Sequence, residues 1–117
     1  MKNRRSFITG LKSTVLQSIE IRFLKKYKPW GVILFSRNIK SIEQTKKLTD
    51  DIKKIFNDKK YPILIDQEGG RINRLSNFID TTKFTGEFFG NLYKNNFKKF
   101  LTYYKIYIVQ TCYLMHI

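Results

Sequence analysis

Two short apolar runs, separated by an amphipathic segment, form the clearest pattern along the chain. The runs are "WGVILF" at 30–35 and "YPILI" at 61–65, and neither alternates with polar residues. Strands that are buried on both faces have this composition, and such strands are typical of parallel sheets. Between the runs, apolar residues recur at helical spacing, at Ile42, Leu48, Ile52, Ile55 and Phe56. The pattern predicts a strand–helix–strand unit with parallel strands.

The amphipathic segment has a well-marked beginning. Ser41 is followed three residues later by Gln44, a spacing that predicts a capping box in which each side chain accepts a hydrogen bond from the other residue's backbone N–H. Acidic residues that precede lysines by four positions predict two ion pairs on the exposed face, Glu43–Lys47 and Asp50–Lys54. We therefore expect a helix that begins at Ser41.

Weaker patterns flank this unit on both sides. "SFITG" at 6–10 predicts a preceding strand, and residues 14–27 predict a helix between the two strands. The apolar side of that helix would consist of Val15, Ile19, Phe23 and Leu24. Residues 87–105 predict one further helix, and the chain then ends in a mostly apolar segment. The alternation of strands and helices predicts an α/β fold.

Composition and charge exclude several classes of protein. At 117 residues the chain has room for one domain, and with 42% hydrophobic residues it can bury a core. Cys112 is the sole cysteine, which excludes an internal disulfide. The late apolar run is shorter than the roughly 20 residues of a spanning helix, so we predict no membrane partner. These features predict a cytoplasmic protein.

The net charge of +14 admits two interpretations. A nucleic-acid-binding protein would use its lysines to neutralise phosphates. A lysine-rich solvated surface has the same total charge, and here the lysines are scattered without a base-stacking module beside them. We predict no specific nucleic-acid partner, and a small basic nucleic-acid-binding protein stays an alternative.

The second apolar run ends in "DQEGGRINR" at 66–74, which has the composition of a ligand site. Asp66 and Glu68 would point to one face of the strand, and Gly69–Gly70 allow the backbone to approach a ligand closely. Arg71 and Arg74 add forked donors that suit carboxylates or sugar hydroxyls. Because α/β folds bind ligands at the carboxyl ends of parallel strands, this motif is a candidate site.

Arg37 and Asn38 follow the first of the two runs, so we expect them at the same edge of the sheet. A purely structural interpretation is also open, in which Asp66 or Glu68 forms an ion pair with a nearby arginine. A retaining glycosidase needs two carboxylates about 5 Å apart that flank the scissile bond. Asp66 and Glu68 would lie on the same side of a sugar, so they are not predicted to be that pair.

Three segments resemble a known enzyme family. "KPWGVILFSRNI" (28–39), "SIEQTKKLTDDI" (41–52) and "PILIDQEGGRINRL" (62–75) are similar to the N-terminal part of bacterial β-N-acetylhexosaminidases of glycoside hydrolase family 3. The motif order and separations match, with Ile72 in place of the family's usual valine. The resemblance covers residues 6–92, and residues 93–117 diverge.

The resemblance implies a fold and a set of roles. It implies the N-terminal portion, about three βα units, of a (β/α)₈ TIM barrel. It implies that Asp66 and Arg74 bind an N-acetylglucosamine-containing saccharide, without metal or cofactor. The motif residues expected to shape the loop and the rim of the site are Glu68, Gly69, Gly70, Arg71, Arg37 and Asn38.

The resemblance also sets limits on what the chain is expected to do. In the family the nucleophilic aspartate and the histidine–aspartate acid/base pair come from later segments, and His116 lacks their motif. We therefore expect no catalytic residue in this chain, a partial and truncated domain over 1–117, and no activity of the chain alone. The complete enzyme would act in peptidoglycan recycling by a retaining mechanism. An inactive gene remnant stays an alternative, and a family 3 β-glucosidase is disfavoured by the "DQEGGR" motif.

Overall fold

A computed structural model describes residues 3–67, 73–78 and 80–115, with side chains up to residue 108. The chain divides into two compact units, Met1–Asp66 and Gln67–Ile117. Each unit is described by itself below.

The first unit is built on a parallel sheet. In the described residues its strands are β1 (Arg5–Gly10), β2 (Pro29–Leu34) and β3 (Ile63–Ile65), in the spatial order β1-β2-β3. Both neighbouring pairs are parallel, with Ile8 opposite Gly31 and Val32 opposite Ile63. The predicted α/β class and the parallel pairing of the two apolar runs are confirmed.

Two helices connect the strands, α1 (Ser18–Tyr27) and α2 (Ile42–Ile55). The core of the unit contains Leu24 of α1, Val32 and Leu34 of β2, and Leu48 and Ile52 of α2, each no more than 3% exposed. These residues come from the apolar positions that the sequence pattern assigns to strands and helices, so the hydrophobic spacing determines which face of each element is buried.

The first helix begins later than predicted. It starts at Ser18 instead of residue 14, because Glu20 accepts hydrogen bonds from the backbone N–H groups of Gln17 and Lys12, both at 2.8 Å. Residues 11–17 are therefore irregular. The predicted apolar side of α1 is only partly buried: Val15, Ile19 and Phe23 are exposed, at 59%, 65% and 39%.

The second helix begins as predicted, with one difference in its cap. The Ser41 hydroxyl accepts from the backbone N–H of Gln44 at 3.1 Å. The Gln44 side chain, however, accepts from the backbone N–H of Lys40 rather than of Ser41. The predicted ion pairs are also replaced, since Asp51 contacts both Lys47 and Lys54, at 3.1 and 3.2 Å. An acid placed between two lysines can pair with both, which the sequence spacing did not distinguish.

A polar and aromatic cluster closes the amino end of the sheet. Arg4, just before β1, forms an ion pair with Asp58 and lies 4.8 Å from the centroid of the Tyr61 ring. The Tyr61 ring stacks on Phe56 at 3.9 Å, and its hydroxyl donates to the Pro29 carbonyl at 2.9 Å. Burial raises the pKa of the Tyr61 phenol to about 12. Because ligands bind at the opposite edge of parallel sheets, we assign this cluster to stability.

The second unit contains a helical hairpin. Its helices are α3 (Gly86–Asn95), with Thr85 as the N-cap, and α4 (Phe97–Met115). The single helix predicted over 87–105 is therefore wrong: the chain breaks at Asn96, whose backbone angles, φ −157° and ψ 83°, are not helical. Phe89 packs edge-on against Phe100 and Tyr104, at 6.3 and 5.4 Å. Aromatic ring contacts of this kind hold α3 and α4 together.

Candidate substrate-binding site

Asp66 directly follows β3, at the carboxyl end of the strand, and its side chain is exposed. It comes two residues after Leu64, which pairs with Ile33 of the neighbouring strand. The Asp66 carboxylate therefore lies at the carboxyl edge of the sheet, where parallel sheets bind ligands. The predicted loop residues Glu68, Gly69, Gly70 and Arg71 lie outside the described residues.

Asn38 lies at the same edge, after β2, in a short 3-10 turn (Ser36–Asn38). It is fully buried and its side chain makes three hydrogen bonds. The amide nitrogen donates to the carbonyls of Leu11 and Ser13, at 3.1 and 2.8 Å, and the amide oxygen accepts from the backbone N–H of Phe35 at 2.9 Å. Asn38 therefore fixes the segment after β1 against the end of β2.

Arg37 reinforces the same junction from the surface. Its Nε donates to the Leu11 carbonyl at 2.8 Å, and its guanidinium carbon lies 4.6 Å from the centroid of the Phe35 ring. A methyl group at Gly10 would approach both the Phe35 ring and the guanidinium, at 3.2 and 3.3 Å. The glycine thus leaves room for the arginine to cross the end of β1. These contacts place Arg37 and Asn38 at the carboxyl end of β2, and their role in the rim of a ligand site stays a prediction.

Gln44 is a further member of this network that the sequence analysis assigned only to helix capping. Its amide nitrogen donates to the carbonyls of Thr14 and Asn38, at 2.7 and 3.1 Å. Asn38 and Gln44 together hold the carbonyls of residues 11, 13 and 14 in place. We name this set of contacts the rim clamp. No local sequence signal reveals it, because the partners are separated by 25–30 positions.

Gln67 opens the second unit and connects both sides of the motif loop. Its amide nitrogen donates to the Asn73 side-chain oxygen at 2.9 Å, and its own oxygen accepts from the backbone N–H of Arg74 at 2.8 Å. The Asn73 oxygen also accepts from the backbone N–H of Leu75 at 2.9 Å. The sequence pattern alone indicates no role for Gln67. The structure shows that it ties the start of the loop to the residue that carries the second guanidinium.

Charge at the carboxyl edge is also set by the start of α2. Hydrogen bonds from its own backbone N–H and from Ser41 hold the pKa of the Glu43 carboxyl below its usual value. Among the described residues, no group of three or more histidine, cysteine, aspartate or glutamate side chains is arranged to bind a metal ion. In the first unit, the exposed groups at this edge include the Asp66 carboxylate and the Arg37 guanidinium, which suit hydroxyl-rich ligands.

A cavity of about 250 Å³ lies beside the end of β1. It is lined mainly by apolar groups, including Leu11, Ile19, Phe23 and Leu24. A sugar requires several polar partners, so we do not assign this cavity to the saccharide.

Part of the chain is similar to proteins of known name. A β-hexosaminidase of Alkalilimnicola ehrlichii is 48% identical over 67 residues, which is 56% of this chain and 18% of the relative. The chain is similar to the β-hexosaminidases. The resemblance predicted from the sequence is therefore confirmed, and with it the resemblance to a glycoside hydrolase. No family model matches the chain.

Solved structures of NagZ are also similar to this chain. Native NagZ from Neisseria gonorrhoeae is 29% identical with a TM-score of 0.63, over 80% of this chain and 26% of that chain. NagZ from the same organism in complex with N-trifluoroacetyl-D-glucosamine is 35% identical with a TM-score of 0.55, over 61% of this chain and 21% of that chain. The chain thus spans about a fifth to a quarter of the proteins it matches.

In the part of the chain that the structure describes, no helix is both long enough and apolar enough to cross a membrane.

Proposed function

We propose that this chain is part of a β-N-acetylhexosaminidase of glycoside hydrolase family 3 that removes terminal β-linked N-acetylglucosamine. The observation that carries the proposal is the position of Asp66, an exposed carboxylate at the carboxyl end of a parallel strand, in a chain similar to β-hexosaminidases. The complex of a similar protein with N-trifluoroacetyl-D-glucosamine supports an N-acetylglucosamine-type ligand.

The proposed fold of the whole enzyme is a (β/α)₈ barrel, in which β1, β2 and β3 are the first strands. Two features support this. The strands are adjacent in chain order and parallel, as the first strands of such a barrel are. Val15, Ile19 and Phe23 form an exposed apolar surface that a neighbouring helix would cover in a closed ring of helices. Residues 93–117 diverge from the family and have no proposed place in the barrel.

Within this proposal, Asp66 accepts hydrogen bonds from sugar hydroxyls and Arg74 donates hydrogen bonds to the same sugar unit. Glu68, Gly69, Gly70 and Arg71 shape the loop between them. Gln67 supports this arrangement because it holds the backbone N–H of Arg74. Arg37 and Asn38 support the rim through their contacts with Leu11.

The proposed chemistry is a two-step retaining hydrolysis in the cytoplasm during peptidoglycan recycling, without metal or cofactor. The nucleophile and the acid/base belong to segments that do not match this chain. The role of the chain is then binding and orientation of the terminal sugar, which lowers the barrier by placing the glycosidic bond between groups supplied elsewhere.

An NMR titration with N-acetylglucosamine tests the binding role. We expect backbone amide shifts at residues 64–67 and 73–75, and an affinity at least about tenfold lower for Asp66→Asn, because a charged acceptor is lost from the sugar hydroxyls. Asp80→Asn is the matched control, since Asp80 is exposed and bonds locally to Thr82. Equal affinity of Asp66→Asn and the control would exclude Asp66 as a sugar ligand.

A hydrolysis assay tests where the catalytic groups lie. The purified chain is expected to release no nitrophenol from p-nitrophenyl β-N-acetylglucosaminide above the rate of buffer alone. Release that disappears in Asp66→Asn but persists in Asp80→Asn would contradict the proposal and place a catalytic group in this chain.

A further inference from the structure

The helix α4 exposes an apolar stripe that the proposed glycosidase function does not use. Its members are Phe97, Leu101, Tyr104 and Ile108, which are 54%, 51%, 44% and 39% exposed. At about 100° of rotation per residue, these four positions fall within an arc of roughly 60° on one side of the helix. We name this set of residues the α4 stripe.

The stripe is not the side that packs within the hairpin. Phe100 and Tyr107 lie on the neighbouring side, where they contact Phe89 of α3 at 6.3 and 5.5 Å. Tyr104 joins both sets, since its ring reaches Phe89 while almost half of the residue stays exposed. The hairpin therefore half-buries Phe100 and Tyr107, while the adjacent stripe stays mostly exposed even though the Phe97 ring also contacts Tyr93 of α3 at 5.4 Å. Outside the stripe, Tyr103 and Ile106 of α4 are exposed as well, at 44% and 49%.

Positive charge borders the stripe on its other flank. Lys98 and Lys105 are exposed and lie one heptad apart, within about 60° of the edge of the stripe. Lys94 at the end of α3 is exposed, and Lys99 is exposed on the opposite side of α4 from the stripe. The sequence contains no aspartate or glutamate after Glu87, so no acid offsets these lysines along α4. The surface is thus both apolar and uniformly basic.

We propose that α4 lies flat on anionic phospholipid, with the α4 stripe between the acyl chains and Lys98 and Lys105 at the phosphates. Helices that bind membranes in this way combine an apolar face with lysines and interfacial aromatic residues. Lysine stems cover apolar surface while the ammonium groups reach the headgroups. The proposal requires no spanning helix, and among the described residues no helix is long and apolar enough to be one.

A nucleic-acid partner fits these residues less well. The phosphates of a nucleic acid would attract the lysines. Leu101 and Ile108, however, would stay exposed to water beside the polar sugar–phosphate backbone and would gain no burial of apolar surface. This inference differs from the expectation drawn from the sequence, which excluded a membrane partner on the length of the apolar run alone. That criterion tests for a spanning helix and does not test for a helix that lies in the interface.

Vesicle flotation tests the inference with the full chain. We expect the protein to float with vesicles of equal phosphatidylglycerol and phosphatidylcholine, and at least tenfold less with phosphatidylcholine alone, since anionic lipid attracts each lysine. The double variant K98E/K105E should lower the partition coefficient on anionic vesicles at least tenfold. The control K46E/K60E makes the same change in total charge at two exposed lysines outside α4. It should change the partition coefficient on anionic vesicles less than threefold.

A second variant separates apolar insertion from charge attraction. L101S/I108S keeps every lysine and should also lower the partition coefficient at least tenfold, while circular dichroism in buffer confirms that the variant retains its helices. Equal loss in K98E/K105E and K46E/K60E would overturn the inference, as would full binding of L101S/I108S. Binding to duplex DNA in a mobility-shift assay without flotation on either vesicle would also overturn it. None of these outcomes depends on sugar binding by Asp66.

Discussion

Replacing Asn38 by aspartate is the sharpest perturbation of the rim clamp. The two side chains have the same shape, so the variant creates no cavity. The carboxylate keeps the acceptor for the backbone N–H of Phe35 but has no donor for the carbonyls of Leu11 and Ser13, which the native amide contacts at 3.1 and 2.8 Å. The substitution therefore removes two buried hydrogen bonds and places a charge beside two carbonyl oxygens.

The magnitude follows from those losses. Each lost hydrogen bond costs about 1 kcal/mol, and a buried carbonyl left without a donor adds to this. Asn38 is fully buried, so the introduced charge carries a further penalty. We expect the free energy of unfolding to fall by about 3–4 kcal/mol at pH 7, a large part of the 5–15 kcal/mol typical of a whole domain.

The effect should depend on pH. Burial and the two facing carbonyls raise the folded-state pKa of the introduced carboxyl above its unfolded value of about 4. The protonated carboxyl can donate to one carbonyl, so the variant recovers about half of its loss below pH 4 and loses stability as the pH rises through the folded-state pKa.

Urea unfolding followed by circular dichroism at pH 4 and pH 7 measures both effects, with Asn91→Asp, an exposed position on α3, as the matched control. Amide exchange at residues 12–15 reports the clamp directly and should accelerate in Asn38→Asp. A loss no greater than that of Asn91→Asp, or an equal loss at the two pH values, would refute the reasoning.

Three further substitutions test the packing of the sheet and of α3. A methyl group at Gly31 would lie 3.0 Å from the Pro62 carbonyl oxygen, so Gly31→Ala should cost about 1–3 kcal/mol in urea unfolding. Gly90→Ala, with nothing within 4 Å, should instead stabilise α3 by up to about 1 kcal/mol, and the opposite order would contradict the packing. Tyr61→Phe should cost about 1 kcal/mol at pH 7, because it removes the hydrogen bond to Pro29. The folded-state pKa of the Tyr61 phenol is raised to about 12, so its contribution to the free energy of unfolding is lost as the pH rises from 10 to 12. The free energy of unfolding of Tyr61→Phe should therefore fall less over this pH range than that of the native chain.

The sequence predicts the parts of the fold that local patterns determine. The runs at 30–35 and 61–65 form β2 and β3, and the amphipathic segment between them forms α2. These elements are predictable because the spacing of apolar residues and the capping of a helix depend on residues that are close in sequence. The irregular segment before α1 was missed, since Glu20 holds it through Lys12, eight positions away. One helix was predicted across residues 87–105 because the residues on both sides of Asn96 form helices well, although the Asn95–Asn96 pair is a local signal that weakens a helix where the structure shows the break.

The candidate site shows the same division between local and distant information. The "DQEGGRINR" motif identifies Asp66 as a residue of interest, and its position after β3 follows from the strand pattern. The roles of Asn38 and Gln44 depend on backbone carbonyl groups that lie 25–30 positions away in the chain. No local sequence pattern predicts these contacts. The role of Gln67 was missed because its hydrogen-bond partners, Asn73 and Arg74, lie six and seven positions later in the chain.

The central claim is that Asp66 and Arg74 contact one sugar unit. An experimental structure of the chain with N-acetylglucosamine tests it most directly. We expect both side chains to lie within hydrogen-bonding distance, about 3 Å, of oxygen atoms of the same sugar. A sugar bound elsewhere, with the Asp66 carboxylate and the Arg74 guanidinium facing separate surfaces, would contradict it.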